Sequence, residues 1–470
     1  MIGAEATIAR AYAAYQRGDL VTARQTLMPV NHPQAWHLLG LVERKAGRRG
    51  EAQGWLARAA EADRQNPEIP NNQGRVAMDA GKASDAEHYF RRALSLRADW
   101  QPALKGLARS LNEQRKWDEA DPVWAQLLAS VPTDNVARYG AATAALERGA
   151  LDTADDMYSA LLSEGVGDPA VVRVMRGRTR VELSQVEAGL ADLREAWRLK
   201  PDAYTLRILA NTLWMSGDSE AFETLLAALP EPLQVLGVDL LGQAENFDAA
   251  LAAWDALAPA QKQDPHALAV KAVLHRETGD GPASLEAAAR AYQMLPHDAY
   301  VVDAISCAQL MVGDGAGALA TIAPWRESLP NSQHWLAYEA TALRILGDPR
   351  YDALVRLDAH VRAYELPVPE GFASIDSFND ALMQALDRTR GFKTHPLNQS
   401  LRLGAQTSRD LVSSPDPVIQ AYIRALDTPI RAFMRDMGEG TDHPMTARNT
   451  GNYQFNGAWS VRLGSGGRHV

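Results

Sequence analysis

Residues 36–59 read WHLLGLVERKAGRRGEAQGWLARA. Trp36, Leu39 and Gly40 lie before Gly47, and Ala52, Leu56 and Ala59 lie after it. Outward from this stretch the pattern repeats. Ala52, Ala86, Ala120 and Ala154 are spaced by 34 residues, and four residues after each stand Leu56, Phe90, Trp124 and Tyr158. Glycines keep the same interval: Gly47, Gly81, Gly149 and Gly217 differ by 34, 68 and 68, and Gly279, Gly313 and Gly347 by 34 each. The interval of 62 residues between Gly217 and Gly279 fits two shortened repeats. A repeat of this length is a pair of antiparallel helices of about 13 residues each, with glycine supplying the backbone freedom of the turn between them. Alanine lets the helices approach, and the bulky residue one turn later fills the gap to the next pair. Pro132, Pro201, Pro296 and Pro330 stop the second helix of their repeats. The expected fold is mainly α, with stacked pairs sharing a continuous core.

These residues resemble the tetratricopeptide repeat family. Trp36, Leu39, Gly40, Ala52, Leu56 and Ala59 match its pattern in one repeat, Pro201, Tyr204, Leu209 and Trp214 mark another, and the repeats between Gly217 and Gly279 are degenerate. The resemblance covers residues 1–365, about ten repeats, and implies an α-α superhelical solenoid whose concave groove binds a peptide or partner protein, with no chemistry of its own. Arg173, Arg176 and Arg180 fall on one face of a predicted helix, a spacing that suits an acidic peptide or a terminal carboxylate and equally suits a solvated face neutralised by acids such as Glu182 and Asp192.

Composition bounds the alternatives. The 470 residues amount to about three domains at ~150 residues each. A mean hydropathy of -0.27 with 23% charged residues is that of a water-soluble globular chain. With 48 Lys and Arg against 58 Asp and Glu, the net charge of -10 argues against nucleic acid as a partner. Glu5, Arg10 and Arg17 interrupt the N-terminal alanines, and no run of 18 apolar residues occurs, so neither export nor a membrane span is expected. The single cysteine, Cys307, lies in an apolar stretch and reads either as a small buried side chain or as a reactive thiol; a reducing, cytoplasmic setting follows.

After Gly347 the repeat stops, and Pro367 and Pro369 mark a linker into a second region, residues 366–470. Residues 391–470 carry one Lys and eight Arg against six acids, a local +3. Periodicity predicts helices from Ile375 to Thr389 and from Pro417 to Met437, the second kinked at Pro429. The period then becomes two: Tyr453, Phe455, Gly457, Trp459, Val461 and Leu463 alternate with polar or small residues, which predicts a half-buried strand with no partner. Gly464, Ser465, Gly466 and Gly467 read as a turn between strands rather than a phosphate cradle, and His395 and His443, each before a proline, read as turn residues.

The words of this region resemble a 2-oxoglutarate/iron(II) oxygenase family whose members often carry tetratricopeptide repeats in front. Pro396, Leu397, Gln399, Ser400, Leu401 and Arg402, then Gly404, Gln406 and Thr407, Ile419 and Gln420, and Pro429 and Ile430 match its opening. Trp459, Ser460, Val461, Arg462, Leu463, Gly466, Gly467 and His469 continue the match. The resemblance implies a double-stranded β-helix in which two histidines and a carboxylate hold Fe(II) and a later basic residue holds 2-oxoglutarate. Residues up to Val470 supply only the lead-in helices and first core strand of that partial α+β domain. His469 is the one metal-ligand candidate: either the first of a His-x-acid pair or a residue a few positions before the ligands. The expectation for this chain is no bound cofactor, no turnover, and association through its terminal strand, which deletion of residues 452–470 would relieve. The competing expectation is a non-catalytic scaffold in which the C-terminal segment caps the last repeat. No Gly-x-x-x-x-Gly-Lys loop, His-Glu-x-x-His helix or Gly-x-Ser-x-Gly elbow is present.

Overall fold

In a computed structural model, described for residues 3–389, 391–397, 399–407 and 410–469, the chain forms two compact units, Met1–Leu183 and Ser184–Val470. The first holds five helical hairpins: α1 (Ala4–Gln16) with α2 (Leu20–Leu27), α3 (Pro33–Lys45) with α4 (Arg49–Ala62), α5 (Glu68–Asp79) with α6 (Ala83–Leu96), α7 (Gln101–Glu113) with α8 (Trp117–Ser130), and α9 (Asn135–Glu147) with α10 (Leu151–Ser163). Helix α11 (Pro169–Glu182) follows.

The second unit opens with α12 (Val186–Leu199) and continues with the hairpins α13 (Ala203–Ser216) and α14 (Ser219–Ala227), α15 (Gln234–Gln243) and α16 (Phe247–Ala256), α17 (Pro265–Glu277) and α18 (Gly281–Met294), and α19 (Ala299–Met311) and α20 (Gly315–Ser328). Then come α21 (Gln333–Leu346), α22 (Arg350–Leu354), α23 (Leu357–His360), α24 (Ile375–Arg388), β1 (Leu401–Gln406), α25 (Pro417–Ala425), α26 (Asp427–Met437), α27 (Pro444–Ala447) and β2 (Val461–His469). No described helix is long and apolar enough to cross a membrane.

The expected core is present. Ala52, Ala86, Ala120 and Ala154 are fully buried, as are Leu56, Phe90, Trp124 and Tyr158. Each large side chain needs a small one opposite: a Cβ on Gly106 would sit 2.3 Å from the Phe90 ring, one on Gly74 2.7 Å from it, and one on Gly140 2.4 Å from Trp124. One ring therefore fills the space between α5 and α7. Pro132, Pro201, Pro296 and Pro330 each stand two residues past the end of α8, α12, α18 or α20. The shortened repeats between Gly217 and Gly279 contain helices of 9, 10 and 10 residues, α14, α15 and α16.

The turn inside each hairpin shows what carries the interval. After α3, the Arg48 N–H donates to Glu43 O at 2.9 Å, which places Gly47 in the left-handed region at φ 79°. Where the glycine series skips a beat, the conformation does not. Arg115 takes φ 59°, with Lys116 N–H on Leu111 O at 2.9 Å, and Glu245 takes φ 59°, with Asn246 N–H on Leu241 O at 3.0 Å. Ser184 does the same at φ 63°. A side chain there costs about 1–2 kcal/mol of backbone strain, which the helix packing on either side overrides.

The expected disruption at Pro429 is present: the helix from Pro417 to Met437 is interrupted at Leu426 into α25 and α26, because Pro429 has no N–H for the Ala425 carbonyl and its ring clashes with it. Three expectations for the C-terminal region are corrected. The terminal strand is not unpartnered. β2 pairs antiparallel with β1, with Leu401 opposite His469 and Gln406 opposite Val461. It also starts later than alternation suggested, at Val461, because Thr407 Oγ1 and Asp410 Oδ1 take the N–H groups of Ser460 and Ala458, at 3.1 and 2.9 Å, in place of ladder carbonyls. Gly464 to Gly467 form no turn between strands. They lie within β2, where the register shifts opposite Leu403, and a Cβ on Gly464 or Gly467 would meet the Leu403 carbonyl at 3.0 or 2.9 Å. The described strands make one two-stranded sheet, far short of a double-stranded β-helix.

Candidate functional site: a cationic groove in the first unit

The first helices of three successive hairpins, α3, α5 and α7, line a groove of 560 Å³. Phe90 and Gly106 form part of its floor. Four cationic side chains, Arg44, Arg75, Lys105 and Arg109, border it, against two carboxylates, Asp79 and Glu113. Arg44 reaches from α3 to Asp79 on α5, Nε to Oδ2 2.6 Å, and Lys105 pairs with Asp134 at 2.5 Å. Asp134 also caps α9, accepting from the Ala137 N–H at 2.9 Å. Burial pushes the Asp134 carboxyl up, but the Lys105 ammonium and the backbone donors outweigh it, and its pKa is lowered.

The other two cations have no carboxylate. Arg75 is bonded to the Asn72 amide oxygen at 3.4 Å, and Arg109 makes no hydrogen bond or ion pair among the described residues. Partial burial, with the Arg44 charge adding to it, lowers the Arg75 pKa. Beside them Asn71 is 5% exposed, lines the groove, and has an Oδ1 with no hydrogen-bond partner. Its neighbour Asn72 is held at 2.8 Å by His37 Nε2 on α3, and burial keeps that imidazole's pKa low. A cationic hollow with an unpartnered buried amide oxygen stands out in a chain of net charge -10.

The candidates singled out in the sequence lie elsewhere. Arg173, Arg176 and Arg180 are half-buried on α11. Arg180 Nε is 2.8 Å from Asp155 Oδ1 and Arg176 Nη1 is 3.2 Å from Ser159 Oγ, both on α10, the neighbouring helix. His469 is exposed on β2, its Nδ1 3.0 Å from Ser400 Oγ. Among the described residues no three His, Cys, Asp or Glu side chains come together. One exposed imidazole does not fit an iron centre of two histidines and a carboxylate. His443 caps α27 through the Met445 N–H at 3.1 Å, a turn role as expected. Cys307 is half-buried, 3.0 Å from Tyr338 Oη, and burial pushes the thiol up, away from reactivity.

The groove residues carried a signal that apolar periodicity passes over. Asn71 and Lys105, Arg75 and Arg109, and Asp79 and Glu113 are each 34 residues apart. Applied to polar positions, the core's interval finds the groove.

Comparison with known proteins agrees with this architecture. A model described as tetratricopeptide repeat matches residues 71–120, 105–169 and 236–299. Residues 71–169 and 236–299 carry tetratricopeptide repeats. Their hairpins include α5 to α8, which supply most of the groove. Over 78 residues the chain is 36% identical to protein O-mannosyl-transferase Tmtc3 of Drosophila melanogaster, a match to 17% of this chain and 8% of that protein. The chain thus spans under a tenth of that relative's length. Among solved structures, a tetratricopeptide repeat protein from Parabacteroides merdae is 15% identical, with 65% of this chain and 98% of that one covered and a TM-score of 0.38. YrrB, described as a tetratricopeptide protein with an unusual peptide-binding site, is 19% identical, with 36% and 88% covered and a TM-score of 0.33.

Proposed function

We propose that the chain is a protein-recruiting scaffold and that the groove along α3, α5 and α7 takes a segment bearing carboxylates. The observation that carries this reading is the pair Arg75 and Arg109, two cations without carboxylate partners, beside the unpartnered amide oxygen of Asn71. A carboxylate accepts from guanidinium N–H groups, and an extended peptide also presents backbone N–H groups, the donors that Asn71 Oδ1 lacks. Fluorescence anisotropy with a labelled peptide rich in Asp and Glu, against the same peptide with Asn and Gln, tests it. Binding should favour the acidic peptide, weaken with salt, and fall about tenfold or more in R75E/R109E. Equal affinity for both peptides would sink the reading.

For residues 366–470 we propose the opening portion of a 2-oxoglutarate/iron(II) oxygenase domain, for which the repeats recruit the substrate. The resemblance of residues 396–469 is what supports this. The activity is proposed for a parent protein, since these residues do not themselves make an iron site. Release of succinate from 2-oxoglutarate by the parent, with none from these 470 residues, is the expected result; a parent without turnover leaves the scaffold alone.

A further inference from the structure

Between α24 and β1 the chain lies across the C-terminal end of α13. Lys393 and Thr394 donate their N–H groups to Met215 O at 2.9 and 3.3 Å, and Thr394 Oγ1 donates to Trp214 O at 2.7 Å. These carbonyls belong to the last turn of α13, where a helix leaves acceptors unfilled. One turn earlier, Asn211 Oδ1 accepts the Leu397 N–H at 2.9 Å, and Leu397 is buried. Beyond, Arg402 Nε stands 2.6 Å from Glu245 Oε1, at the end of α15.

At the middle of this segment sits His395, 7% exposed, its ring edge-on to Trp214 at 5.7 Å. His395 Nε2 and Trp214 Nε1 are both buried without a hydrogen-bond partner. The charged groups that face the imidazole are Arg402 and Glu245, and they are already paired with each other. An imidazolium formed here would face an indole and a guanidinium and find no carboxylate of its own.

We propose that residues 391–397 are a strap, closed over the end of α13 while His395 is neutral and released when His395 takes up a proton. Burial, with the Arg402 charge adding to it and Glu245 opposing, lowers the His395 pKa in the closed state. A released histidine titrates near 6.5. The closed strap therefore binds fewer protons than the open one. Its stability is complete above about pH 6.5 and is lost as the pH falls from there towards the lowered value. The range lies above that of ordinary carboxylates, so the imidazole is the group it selects.

Hydrogen exchange, corrected for the intrinsic effect of pH, reads the strap through the amides of Lys393, Thr394 and Leu397. Between pH 7.5 and 5.5 their protection should fall, by up to about tenfold, while that of the α13 interior holds. H395F, which keeps a ring against Trp214 but cannot charge, should lose the pH dependence. N211A should lower protection at both pH values and keep the dependence. In the wild type, the His395 ring titration followed by NMR should coincide with the loss of protection, a readout independent of any variant's seating. Protection that does not change with pH, a change shared by α13, or ring titration out of step with opening would each overturn the proposal.

Discussion

Between α3 and α10 the chain is positioned by apolar volume, whereas between Leu401 and His469 it is positioned by hydrogen bonds. Leu56, Phe90, Trp124 and Tyr158 fill spaces left by glycine and alanine and have almost no exposed surface. In the second region Trp459 is 56% exposed and Leu463 50%, while Thr407, Asp410 and Ser400 hold Ser460, Ala458 and His469 through side-chain oxygens. A region built on volume announces itself by periodicity, since each large side chain must recur where its gap recurs. One built on polar contacts between distant residues has no period to read.

The comparison is broken most sharply by truncating one side chain on each side of it. Phe90→Ala should cost about 3–5 kcal/mol, because one cavity opens against both α5 and α7, whereas Trp459→Ala should stay within about 0.5 kcal/mol. Chemical denaturation followed by helical circular dichroism reads both; equal midpoint shifts would erase the distinction. Next in size, removing residues 461–470 should promote association, contrary to the expectation from sequence. The deletion uncovers Leu401, now fully buried, and opens the β1 edge, so light scattering should report larger species.

Glu87 sharpens the picture within the repeats. Burial raises its carboxyl, but bonds from Lys116, Arg91 and Gln114 prevail and bring it to about 2. Its folded value lies below the unfolded one, so its contribution is present above about pH 4.5 and lost as the pH falls towards 2. After screening this amounts to about 1–2 kcal/mol. Acid unfolding of E87Q should be shallower than that of the wild type over this range. Smallest is R115G, which should stabilise by about 0.5–1 kcal/mol by relieving a left-handed side chain in the α7–α8 turn. A lower thermal midpoint for that variant would show that Arg115 has a role beyond the turn.

The helical repeats were legible before the structure because Ala52, Phe90 and their equivalents impose one interval on the core. Even the shortened α14, α15 and α16 were announced by the interval of 62. The groove was not read from the sequence. Arg173 stands 68 residues after Lys105, in register with the groove positions, but the polar beat from Asn71 to Lys105 and from Arg75 to Arg109 was not followed. The strand beginning at Val461 was read too early since alternation cannot see Thr407 and Asp410 compete for its N–H groups. The strap on α13 had no sequence signal, as its contacts join residues about 180 positions apart.

The Phe90 ring, seated where both Gly74 and Gly106 lack a side chain, also makes two hairpins mechanically inseparable. Pulled from its ends, a stack of independent hairpins would lengthen in steps of one repeat. Here the ring, carried by α6, is seated on α5 and α7 at once, so pulling α7 away strips one whole side of it and α5 to α8 should give way together. At roughly 3.4 Å per extended residue, two repeats released at once would add roughly 230 Å in a single jump.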